Sequence, residues 1–413
     1  VHINIETTYC REFPVKKLPE ARVIKRYTYS EPLPTLPTGK IAVFIGSHIR
    51  MTKNEEIAID NFCKSNNAVV FCEPCSGYKG KYAIFYSLAS WKKWTSDNQD
   101  IDLLIHLGEI SGFIWQCRNA KEIWRVSEDG ELRDLLKKLT KVFEMREIDF
   151  FEHYSNSDMK GNDSYLKSCL DAVHTTYQNV PELPFSNLWI ANKIHKVIPQ
   201  GSMVHLGILA PLRSWNYMGI NSAYESDCNQ GGFGIDGNLS TLIGASLVHP
   251  DKLYFGVVGD LSFFYDMNSL GNRHINNNIR ILVVNGLGCE FRLFNQVGNI
   301  LGEETNKYIS AAGHFGNKSP RVIKALAENW GYEYITASSK DEFTQVYERF
   351  ITPELTDKPM IFEVFTKVED ENEALQLIEN FGHEENKTSQ TKAVVKKLIG
   401  NQGLKVIKSI LKK

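Results

Sequence analysis

The stretch from Leu253 to Gly288 constrains this chain more than any other. An apolar run, Leu253-Tyr254-Phe255-Gly256-Val257-Val258, reads as a buried strand and ends at Gly259-Asp260. A helical pattern opens near Ser262, and a second apolar run, Ile279 to Val284, then delivers Asn285, Gly286 and Gly288. Strand, helix and strand in that order call for a parallel pair joined by a right-handed crossover. The carboxyl end of such a strand is where α/β sheets bind phosphates, because helix N–H groups without an intrahelical partner point there. A carboxylate in that position, Asp260, suits a hard divalent cation bridging protein and phosphate oxygens. The bland alternative is a helix N-cap.

Composition narrows the function classes. A formal net charge of −2 over 413 residues offers no electrostatic case for nucleic acid. No apolar run approaches the roughly 20 residues of a membrane span. The eight cysteines are scattered, which reads as reduced thiols in a cytoplasm. Cys72-Glu73-Pro74-Cys75 is their one close pair, and with no second Cys or His pair at zinc-like spacing it reads as structural.

The fold class expected is α/β, with two doubly wound parallel-sheet domains and a basic C-terminal helical tail. Residues 1–39 read as the end of a preceding domain and a linker: Val1-His2-Ile3-Asn4-Ile5 is a strand pattern, and residues 11–39 are rich in Pro and charge. Residues 40–150 form a central α/β domain. It has strands at Ile41–Ile45, Ala68–Phe71, Leu103–Leu107 and Ile123–Val126, a helix capped at Asn54, and a closing helix from Leu132 to Phe143. Residues 151–183 are a connection. Residues 184–382 form the second α/β domain, with the glycine run Gly231 to Gly237 ahead of a small-residue helix, Leu239 to Leu247. Residues 383–413 are a basic amphipathic tail, read as packing on protein in preference to membrane attachment.

Taken together, Gly259-Asp260-Leu261-Ser262 with Asp266-Met267-Asn268, Gly234-Ile235-Asp236-Gly237 with Leu239-Ser240-Thr241, Val283-Val284-Asn285 with Gly288, and Glu363-Val364 resemble the thiamine-diphosphate-dependent enzymes. The resemblance is strongest to the 2-succinyl-5-enolpyruvyl-6-hydroxy-3-cyclohexene-1-carboxylate synthases of menaquinone biosynthesis, over roughly 185–380 and more loosely over 40–150.

That resemblance implies thiamine diphosphate and Mg²⁺ as cofactors, and a reaction in which a 2-oxo acid loses CO₂ and is joined through carbon to an acceptor. It implies cofactor contacts from Gly234, Ile235, Gly259, Asp260, Leu261, Ser262, Asn285 and Gly288, with Asp260, Asn285 and the Gly288 carbonyl on the metal. Ile235 would lie under the cofactor and force its bent shape. Arg213, Gln230, Phe291 and Arg292 are the substrate-side candidates. The glutamate that activates the cofactor belongs to a pyrimidine-binding first domain, and no residue of this chain takes its place, so a homodimer or tetramer, or a separate chain carrying that domain, is the expected partner.

Three departures from the family pattern matter. Gly286 stands where the pattern has a second, metal-binding asparagine, which leaves Asn285, a water or weakened binding as the outcomes. Gln230 stands where an arginine is expected and cannot replace its bidentate charge. Gly207-Ile208-Leu209 lacks the family's serine, while Arg213 keeps the arginine. Two alternatives stay open: a non-catalytic descendant or subunit of the fold, and a simple 2-oxo acid decarboxylase.

Overall fold

The computed structural model describes residues 22–92, 100–109, 112–156, 162–219, 223–229, 234–288 and 319–381, with Leu293 and Glu304. The strand pattern at the N-terminus, the substrate-side candidates Gln230, Phe291 and Arg292, and the basic tail lie outside these residues.

Thirteen strands build two sheets among the described residues, and every ladder is parallel. The first uses β1 (Lys25–Thr28), β2 (Ile41–Ile45), β3 (Val69–Cys72), β4 (Ala83–Ile84), β5 (Leu103–Leu107), β6 (Glu122–Val126) and β7 (Leu139–Glu144) in the order β1-β7-β6-β5-β2-β3-β4. The second uses β8 (Met203–Leu206), β9 (Glu225–Cys228), β10 (Tyr254–Gly259), β11 (Ile279–Asn285), β12 (Glu333–Ala337) and β13 (Met360–Phe365) in the order β12-β13-β11-β10-β8-β9. The central strands β2, β5 and β11 are buried along their whole length, as expected when helices cover both faces of a parallel sheet. The expected α/β class with two parallel sheets is therefore the observed one.

Several local expectations need correction. Residues 22–39 are not all linker: Lys25–Thr28 adds edge strand β1 beside β7, and Tyr27 stacks on Phe143 at 5.3 Å between centroids. The helix Lys53–Asn66 is capped by Thr52, in a capping box with Glu55, and not by Asn54. The expected closing helix from Leu132 to Phe143 is absent, and strand β7 occupies its second half. The Asp134 carboxylate accepts the N–H groups of Lys138 at 2.8 Å and Leu139 at 2.9 Å, while Lys137 adopts φ +56°. That turn stops a helix and launches the strand. Helices Glu147–His153 and Ser164–Gln178 fill the connection, and Val368–Asn380 packs beside Asn187–Ile194 after the last strand.

Two buried histidines give the fold a pH dependence. Burial pushes the pKa of His106, on β5, down to about 3, with Arg125 and Arg133 adding repulsion. Burial likewise pushes His195 down to about 4. Both bind protons more readily unfolded than folded, so their contribution is present above about pH 6.5 and lost as pH falls below it. The expected loss from about pH 7 to about pH 5 is roughly 2 kcal/mol per histidine. His48 opposes this: burial lowers its pKa, but the Glu147 carboxylate more than offsets that. Thermal melts across this range should show a falling Tm; an unchanged Tm would contradict the assignment.

Candidate functional site

The site is assembled at the carboxyl ends of β8, β10, β11 and β13. Gly259 pairs with Val284, so Asp260 comes level with Asn285 one strand away. The helix Asp260–Asp266 starts at that carboxylate. Among the described residues, nothing lies within 4 Å of a Cβ built on Gly259.

Asp260 is only 6 % exposed. Its Oδ2 accepts the Gly288 N–H at 2.7 Å, which ties the loop after β11 to the end of β10. Burial pushes its pKa up to about 6, although N–H groups of Gly288, Leu261 and its own backbone favour the charged form. A carboxylate kept dry at this cost at the end of a parallel strand is what a cation site uses. Leu287 and Gly288 both take positive φ, +54° and +73°, and this turn brings Gly288 back over Asp260.

The glycine loop is locked to the same point. Ser262 Oγ donates to the Ile235 carbonyl at 2.6 Å and accepts from Asn238 Nδ2 at 2.8 Å. Asn238 Nδ2 also reaches the Ile235 carbonyl at 3.0 Å. Asp266 Oδ2 accepts the Ser240 N–H at 2.7 Å, and Asn229 Nδ2 donates to the Gly237 carbonyl at 3.1 Å. The two motifs, far apart in sequence, thus form one hydrogen-bonded body. Ser262 spends its hydroxyl proton on holding Ile235, a job the sequence did not suggest for it. Ile235 is half-buried against the apolar cluster that includes Leu206, Val257 and Val284, and Gly234 precedes it. Ser262→Ala should cost about 1–2 kcal/mol by leaving Asn238 without that acceptor, read as a lower midpoint in urea; no change would show that the lock carries no energy.

Asn285 faces the other way from a free carboxamide. Its Nδ2 donates to Glu363 Oε1 at 2.7 Å, and its Oδ1 accepts the Leu287 N–H at 3.1 Å. Glu363, on β13, is 1 % exposed and also accepts the Tyr334 hydroxyl at 2.7 Å. Burial raises its pKa, the two donors lower it, and the charge of Asp260 raises it again. The motif Glu363-Val364 carries no sign of this contact, and nothing in the sequence marks Tyr334 as a site residue.

Arg213 sits on the helix Ala210–Met218, which follows β8 through Leu209, a residue with φ +73° and ψ −118°. That backbone conformation is strained for leucine. Arg213 lines a small cavity with Tyr217, Glu371 and Leu293, so Leu293 lies close to this helix. A separate cavity of about 180 Å³ lies between the sheets. Its basic groups are engaged: His48 with Glu147 at 3.3 Å, Arg50 with Glu225 at 2.7 Å, and Lys79 with the Tyr224 carbonyl at 2.6 Å. Cys72 and Cys75 are buried cysteines flanking Glu73 and Pro74 of its wall, and burial pushes both pKa values up. Among the described residues no helix is long and apolar enough to cross a membrane.

No family model matches the chain. Among characterised proteins it is 31 % identical over 409 residues to the 2-succinyl-5-enolpyruvyl-6-hydroxy-3-cyclohexene-1-carboxylate synthase of Bacteroides thetaiotaomicron, covering 93 % of this chain and 70 % of that protein. It is 31 % identical over 269 residues to the synthase of the same name from Bacteroides fragilis, covering 64 % of this chain and 45 % of that protein. A third, from Flavobacterium psychrophilum, is 29 % identical over 330 residues, covering 76 % of this chain and 57 % of the relative. The chain belongs to the 2-succinyl-5-enolpyruvyl-6-hydroxy-3-cyclohexene-1-carboxylate synthase family.

Proposed function

We propose that this chain carries the diphosphate-binding half of a thiamine-diphosphate- and Mg²⁺-dependent enzyme that decarboxylates a 2-oxo acid and ligates it through carbon to an acceptor. The observation that carries the reading is the buried Asp260 at the end of β10, tied to Gly288 of the loop after β11. The residues present fit the cofactor: a dry carboxylate for the cation, N–H groups at the start of the following helix for phosphate oxygens, and a fixed Ile235. Thiamine diphosphate, when bound, supplies the electron sink for loss of CO₂ and for the new carbon–carbon bond.

The chain's own residues bind and orient. Asp260, Asn285 and the Gly288 carbonyl would hold the metal; Gly234, Gly259, Leu261 and Ser262 would shape the diphosphate and thiamine cradle, and Ile235 would lie under the cofactor. Arg213 takes a substrate carboxylate, and Phe291 and Arg292 are further substrate-side residues. The relatives' name describes a product carrying several carboxylates, a suitable target for arginine, while Gln230 gives up one such contact. The activating glutamate comes from a pyrimidine-binding domain, on another part of the protein or on a partner subunit, and the reaction runs in the cytoplasm.

The test uses the full-length protein. CO₂ release is measured over a panel of 2-oxo acids, with and without enoate or aldehyde acceptors. The expected result is release that depends on thiamine diphosphate and a ligated product when acceptor is present. Release without ligation would favour a plain decarboxylase, and cofactor binding with no release from any acid would favour a non-catalytic descendant.

A further inference from the structure

The cation site has a supporting layer that its own ligands do not reveal. Glu363 pairs with Val283 on one side and with Thr336 on the other. Asn285 lies two residues beyond Val283, and Tyr334 two residues before Thr336. Side chains repeat every second residue along a strand, so Tyr334, Glu363 and Asn285 share one face of the sheet in a diagonal row. The row is closed by hydrogen bonds: Tyr334 Oη to Glu363 Oε2 at 2.7 Å, and Asn285 Nδ2 to Glu363 Oε1 at 2.7 Å.

The chemistry of the row fixes one orientation. An ionised carboxylate only accepts, so it selects the NH₂ end of the Asn285 carboxamide and turns the oxygen away. That oxygen meets the Leu287 N–H at 3.1 Å, in the turn whose next residue donates to Asp260. One lone pair of the oxygen remains for a ligand. With Gly286 in place of a second carboxamide, the orientation of this single amide decides whether the site has an oxygen to offer.

We propose that Glu363, itself held by Tyr334, is a positioning residue that presents the Asn285 carboxamide oxygen to the cation at Asp260. The inference rests on the cofactor reading above. Partners of this kind behind a metal ligand are worth about 10- to 100-fold in metal affinity.

The experiment titrates Mn²⁺ into the full-length protein with thiamine diphosphate present, following free and bound Mn²⁺ by electron paramagnetic resonance. Glu363→Gln, whose amide no longer selects one end of Asn285, is expected to weaken Mn²⁺ binding about tenfold or more and to change the bound spectrum. Tyr334→Phe should weaken it in the same direction by less. In an Asn285→Ala background Glu363→Gln should cost nothing further, an outcome a merely structural role would not give. Should Glu363→Gln fail to fold, Tyr334→Phe carries the test, since it deletes one hydroxyl. Wild-type affinity in folded Glu363→Gln or Tyr334→Phe, or a full additional loss in the Asn285→Ala background, overturns the role of Glu363. No Mn²⁺ uptake by the unsubstituted protein overturns it together with the cofactor reading, so the two failures are told apart.

Discussion

Asp260→Asn should make the cofactor-free protein more stable while destroying its ability to bind thiamine diphosphate with Mg²⁺. The two effects have one cause. Asp260 is 6 % exposed, and burial pushes its pKa up to about 6 from the ordinary 3.8, so the folded state bears the cost of a dry charge. A shift of that size corresponds to about 3 kcal/mol, which sets the upper bound on the gain. Asparagine keeps the shape and an oxygen for the Gly288 N–H, so the loop after β11 stays tied to β10. It removes the negative charge that a divalent cation needs. The expected gain is about 1–2 kcal/mol in the absence of cofactor, with loss of cofactor-induced stabilisation. Melting curves with and without thiamine diphosphate and Mg²⁺ measure both. A destabilised Asp260→Asn protein that still gains stability from cofactor would contradict the assignment.

The second large effect is first one of stability. Arg280 is fully buried on β11, and its guanidinium donates to three main-chain carbonyls: Phe350 at 2.8 Å, Thr352, and Glu354 at 2.6 Å. Phe350 ends the helix Lys340–Phe350 and the other two follow it, so one side chain closes a helix end and staples the next loop to the sheet. Burial lowers the pKa of Arg280 to about 10, with Arg349 adding repulsion. Arg280→Ala leaves the carbonyls without that donor and opens a cavity beneath Phe255, whose ring lies 5.7 Å from the guanidinium carbon. The expected cost is about 3–5 kcal/mol, by analogy with stripping one partner from a buried charged network. Urea unfolding followed by circular dichroism measures it. Because β11 also carries Asn285, cofactor binding should weaken in parallel; a loss under about 1 kcal/mol would show that water replaces the guanidinium.

How legible all this was in the sequence differed by element, for physical reasons. β10 and β11 stood out because central parallel strands are buried on both faces and read as unbroken apolar runs, so the strand-end carboxylate at Asp260 could be placed in advance. The edge strands β1 and β9 lack such a signal: Lys25-Arg26-Tyr27-Thr28 and Glu225-Ser226-Asp227-Cys228 carry the charge edges tolerate and show no apolar run. Leu132, Leu135, Leu136, Leu139, Val142 and Phe143 match a helical period, yet the Asp134 turn competes locally and β6 supplies the ladder. In the site, the contact between Ser262 and Ile235 and the Tyr334–Glu363–Asn285 row depend on which strands are neighbours, information that spacing along the chain does not hold.

The most direct measurement is isothermal calorimetry on the full-length protein. It is titrated with thiamine diphosphate in the presence of Mg²⁺, with thiamine in the presence of Mg²⁺, and with thiamine diphosphate in the presence of a chelator; Asp260→Asn is run beside it. The expected result is saturable heat from thiamine diphosphate with Mg²⁺ alone, absent in the other two titrations and in the Asp260→Asn protein. No heat from the complete mixture, or binding indifferent to the diphosphate, the metal and Asp260, would contradict a cofactor site built on the strand end at Gly259 and Asp260.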